Sequence, residues 1–145
     1  MGRIRLKAGD YPLDSVEDTS AFAVEVAGAL VPNTVIALFG DLGSGKTTFV
    51  QALARALGID EPVASPTFAI LNIYEGSFPL YHFDLYRLKD GADFLKLGFE
   101  EYFQRDGVCM IEWPDIIVPY LPVDAISIHF SHVDENRRVA KVGGC

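Results

Sequence analysis

The sequence predicts an α/β fold: one domain over residues 1–145, with a mixed, largely buried central sheet flanked by helices. Three observations predict it. Thr34–Phe39 is a continuous apolar run rich in β-branched residues, the pattern of a strand buried on both faces. Thr47–Leu57 places Val50, Leu53, Ala54 and Leu57 at i, i+3, i+4 and i+7, one apolar face of a helix. Between the two lies a glycine-rich segment, so a buried strand runs through a tight loop into an amphipathic helix.

The other elements follow in chain order. Arg3–Leu6 alternates and reads as a short half-exposed strand, after which Pro12 breaks the chain. Asp14 and Ser15 offer N-caps for a helix over Val16–Leu30, with Phe22, Val26, Ala29 and Leu30 inward and Glu17, Asp18 and Glu25 in water. Gly58 stops the second helix. Phe68–Glu75 and Leu80–Phe83 read as strands of a hairpin turning at Gly76-Ser77. Ala92–Phe103 is helical with an interruption at Gly98. Val108–Ile111 is a second buried strand, and Ala125–Phe130 and Arg137–Val142 close the fold around a polar turn at Asp134-Glu135-Asn136.

Composition narrows the function. Half of the 145 residues are hydrophobic and 22% are charged, enough apolar surface for a substantial core and against disorder. No signal-like leader and no apolar run of about 20 residues occurs, which predicts a cytoplasmic protein without membrane association. The two cysteines, Cys109 in an apolar run and Cys145 at the end, make no disulfide framework and fit a reducing compartment. His82, His129 and His132 share no compact ligand spacing. A net charge of −8 argues against direct binding of a phosphate backbone, so any link to nucleic acid runs through a partner.

Gly40-Asp41-Leu42-Gly43-Ser44-Gly45-Lys46-Thr47 matches G-x-x-x-x-G-K-[ST] at every fixed position. With a buried strand before it and an amphipathic helix after it, the segment reads as the phosphate loop of a P-loop NTPase fold. Its glycines let successive N–H groups turn inward toward phosphate oxygens, and the helix N-terminus adds to that field. Lys46 then reaches the β- and γ-phosphates, and the Thr47 hydroxyl completes a Mg²⁺ shell.

Such a loop needs a carboxylate on the metal side. Glu112 follows the apolar run Val108–Ile111 and serves either as a metal ligand, directly or through water, or as a solvated strand-end acid. Asp84 ends the run Leu80–Phe83 and either orients the attacking water, joins the metal's outer shell or caps the turn. His82 shares its face and reads as a hydrogen-bonded core histidine. Ser65-Pro66-Thr67-Phe68 is either a mobile loop whose threonine senses the γ-phosphate or a plain Ser-Pro turn. Trp113 beside Glu112 is open to core packing, a partner surface or gating. The chain lacks an N-K-x-D segment for reading guanine and an Arg-rich lid. Arg55, Arg87, Arg105 and Arg137 remain candidates for an arginine finger.

Four strings in order, Gly40 to Thr48, Ser65-Pro66-Thr67-Phe68, Tyr81-His82-Phe83-Asp84-Leu85-Tyr86-Arg87-Leu88 and Ile111-Glu112-Trp113-Pro114, together resemble the TsaE (YjeE) family. These are ATPase subunits of the bacterial tRNA threonylcarbamoyladenosine machinery. The resemblance covers nearly the whole chain and departs from it at Pro32-Asn33-Thr34, where a Gly-Asp pair is common. It implies a P-loop α/β fold and slow, partner-dependent ATP hydrolysis with Mg²⁺ as cofactor. The partners it implies are TsaD and TsaB. TsaD transfers the threonylcarbamoyl group to the adenosine beside the anticodon, and ATP resets the complex between turnovers, so tRNA is met only through the complex. Carried across, the phosphate cradle is Gly43, Ser44, Gly45, Lys46, Thr47 and Thr48, and the Mg²⁺ ligands are Thr47 and Glu112. Asp84 is the essential acid, Thr67 the switch-loop threonine and Trp113 the tryptophan associated with activity. Val16 and Arg137 match further nucleotide contacts. The residues alone leave a small-molecule kinase or a nucleotide-dependent regulatory switch module as alternatives.

Overall fold

The structure, a computed structural model, describes residues 6–41, 45–63, 70–135 and 137–144. Seven strands form one mixed sheet: β1 (Gly9–Leu13), β2 (Val35–Phe39), β3 (Leu71–Glu75), β4 (Pro79–Asp84), β5 (Val108–Glu112), β6 (Ile126–His132) and β7 (Arg138–Gly144). Their spatial order is β1-β7-β6-β2-β5-β4-β3. The inner four, β6, β2, β5 and β4, run parallel, while β1, β7 and β3 are antiparallel to their neighbours. The helices are α1 (Val16–Ala29), α2 (Lys46–Ala56) and α3 (Gly91–Lys96), with 3-10 helices at Phe99–Gln104 and Pro114–Tyr120.

Strand periodicity sorts the core onto two faces. Ile36 and Leu38 of β2, Met110 of β5 and Ile128 of β6 meet α1 and α2 on one side. There Phe49 of α2 lies between Phe22 of α1 and Phe130 of β6, with ring centroids 5.4 Å apart in both pairs. On the other side Val35, Phe83, Cys109 and Ile111 meet α3 and the two 3-10 helices. Both faces of the central strands are dry, which is why β2 and β5 read as unbroken apolar runs. Ser15 caps α1 by accepting the Asp18 N–H at 3.0 Å.

Of Arg3–Leu6, expected as a strand, residues 3–5 lie outside the described residues, and the first strand described is Gly9–Leu13. One expectation changes. Pro12 belongs to that strand, opposite Val139. It is tolerated because β1 lies at the sheet's edge and needs donors on one side only. The interruption expected at Gly98 is present: Gly91–Lys96 and Phe99–Gln104 are separate helices, with Gly98 at φ 73° between them. The 3-10 helix Pro114–Tyr120 had no counterpart among the expected elements.

Cys109 is buried, and its thiol donates to the Tyr102 carbonyl at 3.3 Å. Burial pushes its pKa up to about 12. At pH 8 the reactive thiolate is then about one part in ten thousand of that residue. Iodoacetamide at pH 8 should leave Cys109 unmodified in the native protein and alkylate it in urea, read by peptide mass spectrometry. Rapid native labelling would show that this face of the sheet opens.

Candidate functional site

Parallel pairing brings the carboxyl ends of β2, β5 and β4 to one edge of the sheet. Glu112 is level with Leu38 on one side and with Asp84 on the other. After β2 the chain crosses toward β3 and β4, whereas after β5 it crosses to β6 on β2's other flank. A crevice outside the strand ends at such a reversal is where α/β sheets hold ligands.

Gly45 stands at the N-cap of α2 with φ 107°, a left-handed conformation that favours glycine. The helix ladder opens with the Phe49 N–H on the Gly45 carbonyl at 3.0 Å. The N–H groups of Lys46, Thr47 and Thr48 therefore precede the ladder at the helix's positive end, and no described side chain caps it. Thr47 is exposed and Thr48 half-buried. Gly43 and Ser44, and Thr67 with its Ser-Pro-Thr-Phe string, lie outside the described residues.

Lys46 is 5% exposed, and its Nζ has no hydrogen-bond partner among the described residues. It lies 3.9 Å from the centroid of the Trp113 ring, a cation–π contact. Burial lowers its pKa, against the opposing pull of Glu112, Asp84, Asp115 and Asp41. Trp113 reaches this position through a left-handed backbone, φ 56° and ψ 54°. Such a conformation costs a non-glycine residue about 1–3 kcal/mol and marks a constrained site. The exposed ring of Tyr86 meets the indole edge-on at 5.1 Å.

Glu112 is 4% exposed, which removes the solvated strand-end alternative. Its Oε2 lies 2.6 Å from Nε2 of the fully buried His82. Asp84 is half-buried; its Oδ1 accepts the Tyr86 N–H at 3.0 Å, so it does cap the turn after β4. Burial is the main cause raising its pKa, with Glu112 adding to the rise and the Tyr86 N–H, His82 and Lys46 opposing it. Lys46, Glu112, Asp84 and Trp113 are thus brought together.

Two more of the expected residues stand on other elements. Val16 opens α1 and is 63% exposed. Arg137 is turned into the β6–β7 hairpin, where its guanidinium pairs with Asp134 at 2.6 Å. The next residue is the one beside the loop: a Cβ on Gly45 would lie 3.3 Å from Cδ of Arg138. Sequence reasoning missed Arg138, because which of two adjacent arginines faces the loop depends on the residue at which β7 begins. It also missed the His82–Glu112 contact, although both residues were singled out.

The donor set near α2 consists of hard oxygens, a carboxylate at Glu112 and a hydroxyl at Thr47, which suit Mg²⁺. Among the described residues no group of three His, Cys, Asp or Glu side chains could hold a metal.

Fold and site together define an α/β protein of the strand–loop–helix class, with its charged groups gathered at the carboxyl edge of a parallel sheet. The sequence profile of the family described as "Threonylcarbamoyl adenosine biosynthesis protein TsaE" matches residues 13–140, and the chain belongs to that family. It is similar to the tRNA threonylcarbamoyladenosine biosynthesis protein TsaE of Bacillus subtilis (strain 168), 42% identical over 84% of this chain and 77% of that one. The protein of the same name from Treponema pallidum (strain Nichols) is 40% identical over 86% of this chain and 93% of its own. Among solved structures, Bacillus YdiB superposes with a TM-score of 0.80 at 35% identity, covering 94% of this chain and 84% of that one. No helix of the described residues is long and apolar enough to cross a membrane.

The buried ammonium has a consequence for stability. Between its lowered pKa and the ordinary lysine value of 10.5 the unfolded chain binds more protons, so this group's contribution to stability rises with pH across that window. At pH 7 the charged form is carried at a cost. Lys46→Met should raise the melting temperature at pH 7 by about 2–4 °C, the shift that accompanies about 1 kcal/mol in a chain of this size. A fall would mean that the carboxylates and the indole more than repay the burial.

Proposed function

We propose that this protein is an ATP-binding, slowly hydrolysing P-loop ATPase that serves threonylcarbamoyl modification of the tRNA adenosine beside the anticodon, acting through TsaD and TsaB. The observation that carries the reading is Lys46: a buried ammonium without a hydrogen-bond partner among the described residues, at a helix N-terminus that no described side chain caps and near two carboxylates. Membership of the family supports the biological role.

In this reading the loop from Gly43 to Thr48 cradles the phosphates with its N–H groups, and Lys46 leaves the Trp113 face for the β- and γ-oxygens. Arg138, beside Gly45, adds positive charge on the same side. Thr47 and Glu112 hold Mg²⁺, which when bound offsets the negative charge of the phosphates. Asp84 orients the attacking water, and its raised pKa leaves it a better proton acceptor than an ordinary aspartate. Thr67 senses the γ-phosphate. The protein acts without membrane association in the cytoplasm and meets tRNA through its partners, in keeping with its net charge of −8.

The Lys46–Trp113–Tyr86 contacts favour a second reading, a regulatory module in which occupancy rather than turnover is read at the exposed Tyr86. ATP hydrolysis by the purified protein, alone and with TsaD and TsaB added, separates the two. The ATPase reading expects stimulation by the partners and at least about a 100-fold loss in Asp84→Ala, the usual scale for a positioned acid–base group. Tight ATP binding with no hydrolysis under either condition would leave the switch module. Because Trp113 is the chain's one tryptophan, withdrawal of Lys46 should also change its emission when ATP is added. Lys46→Ala should abolish that change along with ATP binding; unaltered affinity would overturn the phosphate-loop assignment.

A further inference from the structure

We propose that His82 is a positioning residue: its Nε2–H pins Oε2 of Glu112 and so fixes how the carboxylate is turned toward the Mg²⁺ shell. The inference rests on the reading of Glu112 as the metal-side carboxylate and goes beyond it. His82 and Glu112 lie on the same face of the sheet as α2, on adjacent parallel strands. His82 is level with Met110, one same-face position deeper than Glu112, so the ring approaches the carboxylate from the sheet interior rather than from the crevice.

The distance, 2.6 Å, is short for a nitrogen–oxygen contact. Nδ1 of the same ring is buried and has no hydrogen-bond partner among the described residues. A carboxylate only accepts, so the proton belongs on Nε2. Nδ1 then keeps a lone pair, which is less costly to leave bare than a buried N–H.

A histidine–glutamate pair this deep is a poor choice for stability, since a well-packed apolar pair of the same volume serves a core as well or better. The pair makes sense when the acid has to be there. A carboxylate that is not held in place would swing away from the direction a metal ligand needs. Donation from a fixed imidazole prevents that, and partners of this kind commonly contribute about 10–100-fold in metal affinity.

The test uses the whole chain and a fluorescent N-methylanthraniloyl ADP, titrated in Mg²⁺ and in EDTA. The wild type should bind more tightly in Mg²⁺. His82→Leu should bind as the wild type does in EDTA but lose about 10–100-fold of the gain that Mg²⁺ confers. His82→Gln, which keeps an N–H donor, should recover part of it. A full Mg²⁺ gain in His82→Leu, or an equal loss with and without Mg²⁺, overturns the positioning role and leaves the site reading intact. No Mg²⁺ gain in the wild type overturns the reading of Glu112 and this proposal with it.

Should His82→Leu not fold, the wild type decides by nitrogen-15 NMR. A slowly exchanging, far-downfield imidazole Nε2–H is expected, shifting on addition of ADP with Mg²⁺ and not with ADP in EDTA. Its absence, or its indifference to Mg²⁺, overturns the proposal.

Discussion

β5 pairs in parallel with β2 on one flank and with β4 on the other, and the positions of the charged groups depend on that pairing. Register makes Glu112 the neighbour of both Leu38 and Asp84. A slip of one residue would turn Glu112 toward α3 and the 3-10 helices and bring Ile111 into the crevice. The alternation that buries Met110 and Val108 against α1 and α2 therefore also aims the acid at the N-terminus of α2. Core packing and site geometry are here one constraint, enforced by apolar area on both sides of the sheet.

On this frame an ammonium, two carboxylates and an indole share a poorly hydrated space. Lys46 is drawn by four acids and penalised by burial, and burial prevails. The Trp113 face supplies a weak partner that gives way readily to a stronger one. A direct salt bridge would bind the lysine more firmly than the indole does. The left-handed backbone at Trp113, just before Pro114, is the local strain that sets the indole in this place.

Much of this was legible in the sequence because it lay in contiguous patterns. β2 and β5 announce themselves as unbroken apolar runs, and α2 by its spacing. What escaped depends on partners distant in the chain. Pro12 argues against a strand until β7 is known to pair with it on one side only. The 3-10 helix Pro114–Tyr120, with two prolines and a β-branched run at Ile116, Ile117 and Val118, carries no helical period. His82 and Glu112 are 30 positions apart and meet only through the register of β4 on β5. That Arg138 lies beside Gly45 depends on alternation counted from the first residue of β7, which no local signal marks.

Pro12 has one more effect, on how molecules meet one another. An outermost strand with a full row of outward N–H and C=O groups is a template onto which another chain can add, and sheets grow into fibrils by that route. On β1 the fourth of five residues has no N–H to offer, so an incoming strand would lose a bond there. The same residue that seems out of place in a strand thus ends the sheet there and keeps crowded molecules from zipping together along it.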